Sequence, residues 1–236
     1  MLVLAVDTTT RQGSVALARD GRVVAVYEGD AAVTHGARLP GDLIRFLGAQ
    51  DLRVADVDLF AVASGPGSFT GMRIGIATMQ GLALANGRSL IGISALDAIH
   101  EAVGLSPHND VVVWMDAQRG QVFSAVYANN VVLEPPVADK PADILSRWAR
   151  EGRHRSLFAG DGAHVYHALI HEAHVDAHII DPTPPLAPSI ARLAEMTLRS
   201  HGASPPDAIR PIYVRRTDAE LVRDGRASAK VGTASE

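Results

Sequence analysis

Residues 3–18, VLAVDTTTRQGSVALA, decide the fold, because residues 112–126, VVWMDAQRGQVFSAV, repeat their pattern further along the chain. Each stretch begins with an apolar strand that ends at an aspartate, Asp7 or Asp116. A polar turn and a glycine then lead into a second strand with alternating apolar residues. Few letters are identical, and a duplication is therefore inferred from the order of the elements around the two stretches.

Hydrophobic periodicity predicts the same order of elements in both halves of the chain. In the first half the predicted strands are 2–6, 14–18, 23–27, 59–63 and 90–93, and the predicted helices are 37–49, 70–85 and 96–103. In the second half the strands are 111–115, 122–127, 131–133, 157–159 and 178–180, and the helices are 142–150, one from Gly162 to about His174, and 189–200. Asp20-Gly21 and Asn129-Asn130 are the turn signals of the two hairpins.

Two βββαβαβα units predict an α/β fold of two lobes, each a mixed sheet flanked by helices. We expect residues 1–104 to form the first lobe and residues 105–205 a smaller second lobe. Residues 206–236 are expected to return to the first lobe and to end in a disordered tail.

The amino-acid composition narrows the range of possible functions. The chain has 236 residues, of which 47% are hydrophobic and 20% charged, which is ordinary for a globular protein. With 22 basic and 26 acidic residues the net charge is −4, so a stand-alone binder of nucleic acid is not expected. The absence of cysteine excludes disulfides, thiolate metal sites and cysteine nucleophiles. We expect a cytoplasmic protein without membrane association, since no long apolar run is present.

Asp7 is the first candidate for chemistry, because it follows a buried strand and precedes three threonines. A carboxylate there can hold a Mg²⁺-bound water while hydroxyl groups and turn amides contact phosphate. It can equally accept hydrogen bonds from the amides of its own turn. Both interpretations stay open on the sequence alone.

The segment SGPGSFTGMRIG, residues 64–75, is the most informative in the chain. Its glycines permit close approaches, and Ser68 or Thr70 can cap the following helix, whose first amides attract anions. It lacks the GK[ST] ending of a P-loop, and Pro66 removes one amide donor. The alternative is tight packing, in which Gly71, Gly75, Thr78 and Gly81 let another helix approach closely.

Five histidines form a separate cluster. If one helix extends through them, four share a face on which neutral imidazoles can bind Zn²⁺ or Ni²⁺. No acidic residue clearly completes a metal shell, and solvated histidines are the alternative that we favour. The five are His164, His167, His171, His174 and His178.

The run GPGSFTGMRIGIATMQGLALANG, with VDTTT, GSVALA, DAQRGQVFSAVY, AGDGA and PIYVRRTDAE, closely resembles the TsaB (YeaZ) family over nearly the whole chain. The resemblance implies the ASKHA (actin/Hsp70/sugar-kinase-like) fold of duplicated RNase H-like lobes. It also implies a role as a partner of TsaD, which transfers a threonylcarbamoyl group from threonylcarbamoyl-AMP to the adenosine beside the anticodon of tRNA. The resemblance further implies that the ATPase TsaE joins that assembly and that this chain contacts tRNA only as part of the complex.

The comparison with TsaD implies that this chain is not an enzyme. TsaD-like chains carry two histidines, four residues apart, that hold the catalytic metal. The corresponding positions are Ala95 and Ile99 here, and hydrocarbon offers no lone pair to a metal. We therefore expect no catalytic residues, no metal and no intrinsic cofactor, with a nucleotide at the subunit junction left open.

An interface with TsaD is expected on the first lobe, on helices 37–49 and 70–85, and the same surface is expected to form a homodimer when TsaD is absent. Its predicted residues are Leu39, Leu43, Phe46, Met72, Ile76 and Met79. A vestigial nucleotide or phosphate site is predicted at Asp7, Thr8, Gly65, Gly67 and Ser68.

Two alternative functions remain. An ATP-dependent ASKHA phosphotransferase requires Asp7 to serve Mg²⁺ and nucleotide, with turnover by the isolated chain. A glycoprotease-like metallopeptidase requires metal ligands that Ala95 and Ile99 do not supply.

Overall fold

Two five-stranded mixed sheets form the framework of the chain. The computed structural model describes residues 1–104, 110–128, 131–153, 155, 157–181 and 183–214. The first sheet contains β1 (Leu2–Asp7), β2 (Ser14–Arg19), β3 (Arg22–Glu28), β4 (Leu59–Gly65) and β5 (Ser89–Ser94). The second contains β6 (Val111–Asp116), β7 (Val122–Ala128), β8 (Val131–Asp139), β9 (Leu157–Ala159) and β10 (His178–Ile179).

The two sheets share one topology. Their strand orders are β3-β2-β1-β4-β5 and β10-β9-β6-β7-β8, so β1 and β6 are the central strands. Each central strand is antiparallel to the strand that follows it and parallel to the one on its other side. The predicted α/β class with two mixed sheets flanked by helices is therefore confirmed.

Seven α-helices connect and cover the strands in the described part of the chain. They are α1 (His35–Gly48), α2 (Phe69–Ala85), α3 (Ala95–Val103), α4 (Pro141–Arg150), α5 (Asp161–Val165), α6 (His167–Ala173) and α7 (Ala187–His201). The prediction of a single helix from Gly162 to about His174 is wrong, because the helix is interrupted at Tyr166, which separates α5 from α6. The predicted turn at Asn129-Asn130 lies outside the described residues.

The faces of the first sheet are covered from different parts of the chain. Helices α1 and α2 pack on one face, over a core that includes Leu4, Leu17 and Phe60. The other face is covered by α7, which contacts all five strands of that sheet and also packs against α3. The assignment of residues 187–201 to the second lobe is therefore corrected, because the connection after β10 crosses back to the first sheet. Helix α3 in turn contacts β6, β7 and β9 of the second sheet.

Residues 206–214, here called the C-terminal strap, lie against the first lobe. The N–H of Ile212 donates to the carbonyl oxygen of Ser64 at 2.7 Å. The Gln80 side-chain amide donates to the carbonyl oxygens of Pro206 and Ile209 at 2.9 and 3.1 Å. The Arg73 Nε donates to the Tyr213 hydroxyl at 2.9 Å. The strap thus joins the end of β4 to helix α2; residues 215–236, which include the expected tail, lie outside the described residues.

None of the helices in the described ranges combines the length and the apolar character needed to cross a bilayer.

Candidate functional site

A large cleft, with a volume of about 710 Å³, lies between the two lobes. Its walls are the β1–β2 turn, the loop before α1, the first turn of α2 and the β6–β7 turn. A smaller cavity of about 230 Å³ lies beside the β1–β2 turn and is bounded by Asp7, Asp161 and residues 183–186. The two duplicated turns meet in the large cleft, which residues 9–11 and 116–119 line from opposite lobes.

Asp7 is buried, and both oxygens of its carboxylate accept hydrogen bonds from residues of its own turn. Its Oδ1 accepts hydrogen bonds from the Thr9 N–H at 2.7 Å and the Thr9 hydroxyl at 2.6 Å. Its Oδ2 accepts the Thr10 hydroxyl at 2.6 Å. The sequence allows two roles for Asp7, a magnesium or phosphate site and a hydrogen-bond acceptor within its own turn. The structure favours the second, because both oxygens already accept hydrogen bonds that order the loop.

Thr8 lies against helix α2 and faces neither cavity. A Cβ added at Gly71 would meet the Thr8 carbonyl oxygen, and one added at Gly75 would meet the Thr8 hydroxyl. The small residues of α2 thus make room for the β1–β2 turn. At the other end of this stripe of small residues, a Cβ at Gly81 would meet nothing within 4 Å, so this part of the helix surface is open.

The glycine loop after β4 is shaped by its neighbours. A Cβ at Gly65, which has φ +114°, would lie 2.8 Å from the Ile212 carbonyl oxygen of the strap. A Cβ at Gly67 would lie 2.6 Å from the Thr9 Cβ. Ser68 donates its N–H to the Thr9 carbonyl oxygen at 2.8 Å and caps α2 by accepting the Gly71 N–H at 3.2 Å.

The five residues of the predicted nucleotide or phosphate site are therefore only partly brought together. Gly67 and Ser68 line the large cleft, whereas Asp7 lines the small cavity. Gly65 and Thr8 line neither of them. Asp7 and Ser68 form hydrogen bonds with neighbouring residues of the protein, and these bonds order the loops rather than leave the groups free for a ligand.

Sequence reasoning missed the charged residues that the cleft does present. Arg11 and Arg119 lie on the equivalent turns of the two lobes and line the same cleft. Asp116 and Asp161 line it from the second lobe. Asp161 accepts the N–H groups of Asp116 at 3.0 Å and of Gly162 at 2.9 Å. Burial raises the pKa of Asp161, and the charge of Asp116 raises it further, while the N–H donors oppose the shift. Aligning the duplicated turns would have revealed the arginine pair.

The six predicted interface residues lie inside the first lobe, and this assignment is corrected. Their side chains are between 0% and 8% exposed and form part of the core beneath α1 and α2. The six are Leu39, Leu43, Phe46, Met72, Ile76 and Met79. Both helices carry apolar residues on both faces, and helical spacing alone does not tell which face is buried. The prediction therefore named residues of the inward face.

Ala95 and Ile99 are buried on α3, between the two lobes. Ile99 packs near Gly160, where an added Cβ would lie 3.6 Å from the Ile99 Cδ1. The neighbouring His100 stacks on Tyr127 with ring centroids 4.3 Å apart. The Tyr127 hydroxyl donates to Asp97 at 2.7 Å. These positions therefore form a packed junction between the lobes.

The five clustered histidines do not share one helical face. His164 lies on α5 and contacts the Ile180 carbonyl oxygen at 3.0 Å, whereas His167 and His171 lie on α6 after the break. His174 is buried beside Phe158, and His178 is on β10. Across the described ranges, no group of three or more His, Cys, Asp or Glu residues is arranged to hold a metal ion.

Comparison with known proteins identifies the relatives of this fold and site. A family model described as "TsaD: tRNA N6-adenosine threonylcarbamoyltransferase" matches residues 21–226. The chain is 38% identical over 165 residues to the tRNA threonylcarbamoyladenosine biosynthesis protein TsaB of Escherichia coli K12, covering 64% of this chain and 71% of that protein. The chain belongs to the TsaB/YeaZ family.

Two further comparisons extend the match to the TsaB/YeaZ family over nearly the whole chain. The Bacillus subtilis TsaB protein is 28% identical over 226 residues, covering 93% of this chain and 96% of that protein. A Pseudomonas aeruginosa crystal structure, described as an uncharacterized protein with similarity to peptidase YEAZ, superimposes with a TM-score of 0.74 at 25% identity. That match covers 91% of this chain and 99% of the other. The resemblance inferred from the glycine loop is thus confirmed.

Proposed function

We propose that this chain is a non-catalytic subunit of the machinery that makes threonylcarbamoyladenosine in tRNA, and that it docks on and activates a TsaD transferase. Relatives named as TsaB proteins of tRNA threonylcarbamoyladenosine biosynthesis support the role in tRNA modification. The match to the TsaD family model supports a TsaD-like chain as the partner, because duplicated relatives commonly pair through equivalent surfaces.

The outward face of α1 and α2 is the observation that carries this proposal. Ile44 is 69% exposed and Leu84 is 57% exposed, and the residues around them are small or apolar. We call this surface the docking face and define it by Ala37, Pro40, Ile44, Ala77, Gly81 and Leu84. None of the six is charged, which is typical of the centre of a protein interface.

The two helices present this face as one surface. A Cβ at Gly36 of α1 would lie 3.4 Å from the Ile74 Cδ1 of α2, so the helices are in close contact there. Arg45 and Arg73 are exposed at its edges, and Arg45 is held by Asp42 at 2.6 Å. An apolar centre with charged residues at the rim suits a two-helix contact from a partner.

Two observations support the absence of intrinsic catalysis. The positions that hold a metal in TsaD-like chains are the buried hydrocarbons Ala95 and Ile99. The Asp7 carboxylate, which a phosphotransferase would need for magnesium, already accepts three hydrogen bonds from its own turn. Activation is then indirect, because docking stabilises a productive conformation of the transferase.

The remaining parts of the proposal rest on the family. In the absence of TsaD, the docking face pairs with a second copy to form a homodimer. TsaE joins the assembly, and tRNA is contacted through the complex. The chain has no intrinsic cofactor, and a nucleotide at the junction with TsaD remains a separate expectation.

Reconstitution with each component omitted in turn tests the proposal. The mixture contains this chain, its TsaD and TsaE, a substrate tRNA and threonylcarbamoyl-AMP, and the product is quantified as the modified nucleoside. We expect modification to require TsaD and to fall strongly without this chain. Modification by this chain without TsaD, or full activity of TsaD alone, would overturn the proposal. ATP turnover by the isolated chain would favour the phosphotransferase instead.

A further inference from the structure

A buried histidine ties helix α1 to the β1–β2 turn. His35 and Arg38, on the first turn of α1, are each only 9% exposed. The His35 Nε2 lies 2.9 Å from the Thr10 carbonyl oxygen, and its Nδ1 lies 3.0 Å from the Arg38 Nη2. The same Arg38 Nη2 donates to the Gln12 carbonyl oxygen. Two side chains of α1 thus hold two carbonyl groups of the turn.

The partners of His35 fix where its proton lies. A guanidinium group has only N–H donors, so the His35 Nδ1 must accept the hydrogen bond from Arg38. A carbonyl oxygen only accepts, so the His35 Nε2 must donate to Thr10. Both contacts are satisfied together only by the neutral imidazole with its proton on Nε2.

Protonation of His35 breaks this arrangement. The added proton on Nδ1 would face an Arg38 N–H, placing two donors and two cations 3.0 Å apart in a buried site. His35 is also the first residue of α1, where the helix dipole opposes positive charge. The contact between His35 and Arg38 must then be given up, and repulsion from the protonated ring weakens the hold of Arg38 on the Gln12 carbonyl oxygen.

The surrounding charges do not relieve this conflict. On α1, Asp42 lies on the other side of Arg38, which it binds at 2.8 Å, and it also binds Arg45 and faces Tyr27 of β3. On the turn, the Asp7 carboxylate is occupied by Thr9 and Thr10, and Arg11 is itself a cation. The first turn of α2 supplies no charge to the cleft wall. The charged residues that line the cleft from the second lobe are Asp116, Arg119 and Asp161.

We propose that His35 is a pH-sensitive latch, which holds the β1–β2 turn when it is neutral and releases the turn when it is protonated. Residues Thr9, Thr10 and Arg11 of that turn line the large cleft, and so does His35 itself. Release therefore loosens one wall of the space between the lobes. The latch opens on acidification, because the contact between the His35 Nδ1 and Arg38, which steadies Arg38 against the turn, exists only in the neutral form.

Two measurements on the full chain test the latch. Long-range ¹H–¹⁵N NMR at about pH 8 reports the histidine tautomers directly, and we expect the Nε2–H form for His35. Hydrogen exchange of the turn amides, corrected for intrinsic rates, is then compared at about pH 7.5 and about pH 5.5. The Gly13 N–H donates to the Thr10 hydroxyl at 3.1 Å within the same turn. We expect protection of this amide to fall by about tenfold on acidification, the size of one lost net hydrogen bond.

Two variants separate the latch from general acid sensitivity. His35→Gln cannot be protonated in this range, and its turn should exchange with little dependence on pH. His201→Gln, at an exposed histidine on the last turn of α7, should keep the wild-type dependence. The proposal is overturned if His35 carries its proton on Nδ1 at about pH 8, or if His35→Gln retains the full pH dependence of exchange. The tautomer measurement uses the wild-type chain and decides the matter even if a variant fails to fold.

Discussion

Ile212 donates its backbone N–H to the carbonyl oxygen of Ser64 at 2.7 Å, which links a residue near the end of the described chain to the start of the glycine loop. On the neighbouring strand β5, Gly92 leaves space for the side chains of Ile209 and Ser64. A Cβ at Gly92 would lie 3.0 Å from the Ile209 Cγ2 and 3.3 Å from the Ser64 Cβ. The strap can lie flat on the sheet because β5 has no side chain there.

Gly92→Ala should therefore weaken the attachment of the strap, lowering the free energy of unfolding by about 1 kcal/mol through overpacking. Ile209→Ala removes the atom that the new Cβ would meet. In that background the cost of Gly92→Ala should shrink, which chemical denaturation of the four chains in a double-mutant cycle measures. Additive effects of the two substitutions would contradict the contact.

The glycines of α2 give a prediction with an internal control. Gly75→Ala should destabilise the fold by about 1–3 kcal/mol, because the added Cβ falls on the Thr8 hydroxyl. Gly81→Ala, on the same helix but with nothing within 4 Å, should stabilise it by about 0.5–1 kcal/mol through helix propensity. Thermal and urea unfolding compare the two variants, and effects of the same sign would refute this account of the helix.

Asp161 makes the stability of the fold depend on pH in a defined direction. Its pKa is raised in the folded state, mainly by burial, so ionisation costs stability as the pH rises through and above its ordinary value. Asp161→Asn keeps an oxygen that can accept the Asp116 and Gly162 N–H groups and removes the charge. The variant should therefore melt at a higher temperature than wild type at about pH 7, and the difference should shrink toward about pH 4. A variant that melts at a lower temperature than wild type at about pH 7 would mean that the charge stabilises the fold.

The docking face can be tested with a pair of substitutions matched in exposure. Leu84→Asp places a charge on the docking face, whereas Val165→Asp places one on the second lobe, at a residue that is 58% exposed, against 57% for Leu84. Both variants should unfold like wild type because both sites are on the surface. We expect Leu84→Asp to weaken binding to TsaD by at least about tenfold, measured by titration calorimetry, and Val165→Asp to have little effect. Equal affinities for the two variants would remove this face from the proposal.

The order of the elements was predictable because strands and helices in this chain differ clearly in the period of their apolar residues. The repeated pattern ending at Asp7 and Asp116 also predicted that the two lobes would share one topology. Contacts between distant segments were not predictable in this way. Nothing near Gly71 or Gly75 in the sequence indicates that Thr8 fills their space, and nothing near Gly92 indicates Ile209.

The interface assignment failed for a physical reason that the helices themselves explain. On α2, Met72 and Met79 point into the core while Ala77 and Leu84 point outward, so both faces are apolar. Periodicity locates an inward face only when the opposite face is polar. A helix that is apolar all round is expected to be covered on both sides, and under our proposal a partner supplies the second cover.

The route of α7 and the strap has a consequence for biosynthesis. Both cover the first sheet, yet both follow the whole second lobe in the chain. As the polypeptide leaves the ribosome, strands β1 to β5 emerge long before the helix that shields one of their faces. The amino-terminal half therefore cannot mature as an independent unit during translation, and its completion waits until the second lobe, α7 and the strap have been synthesised.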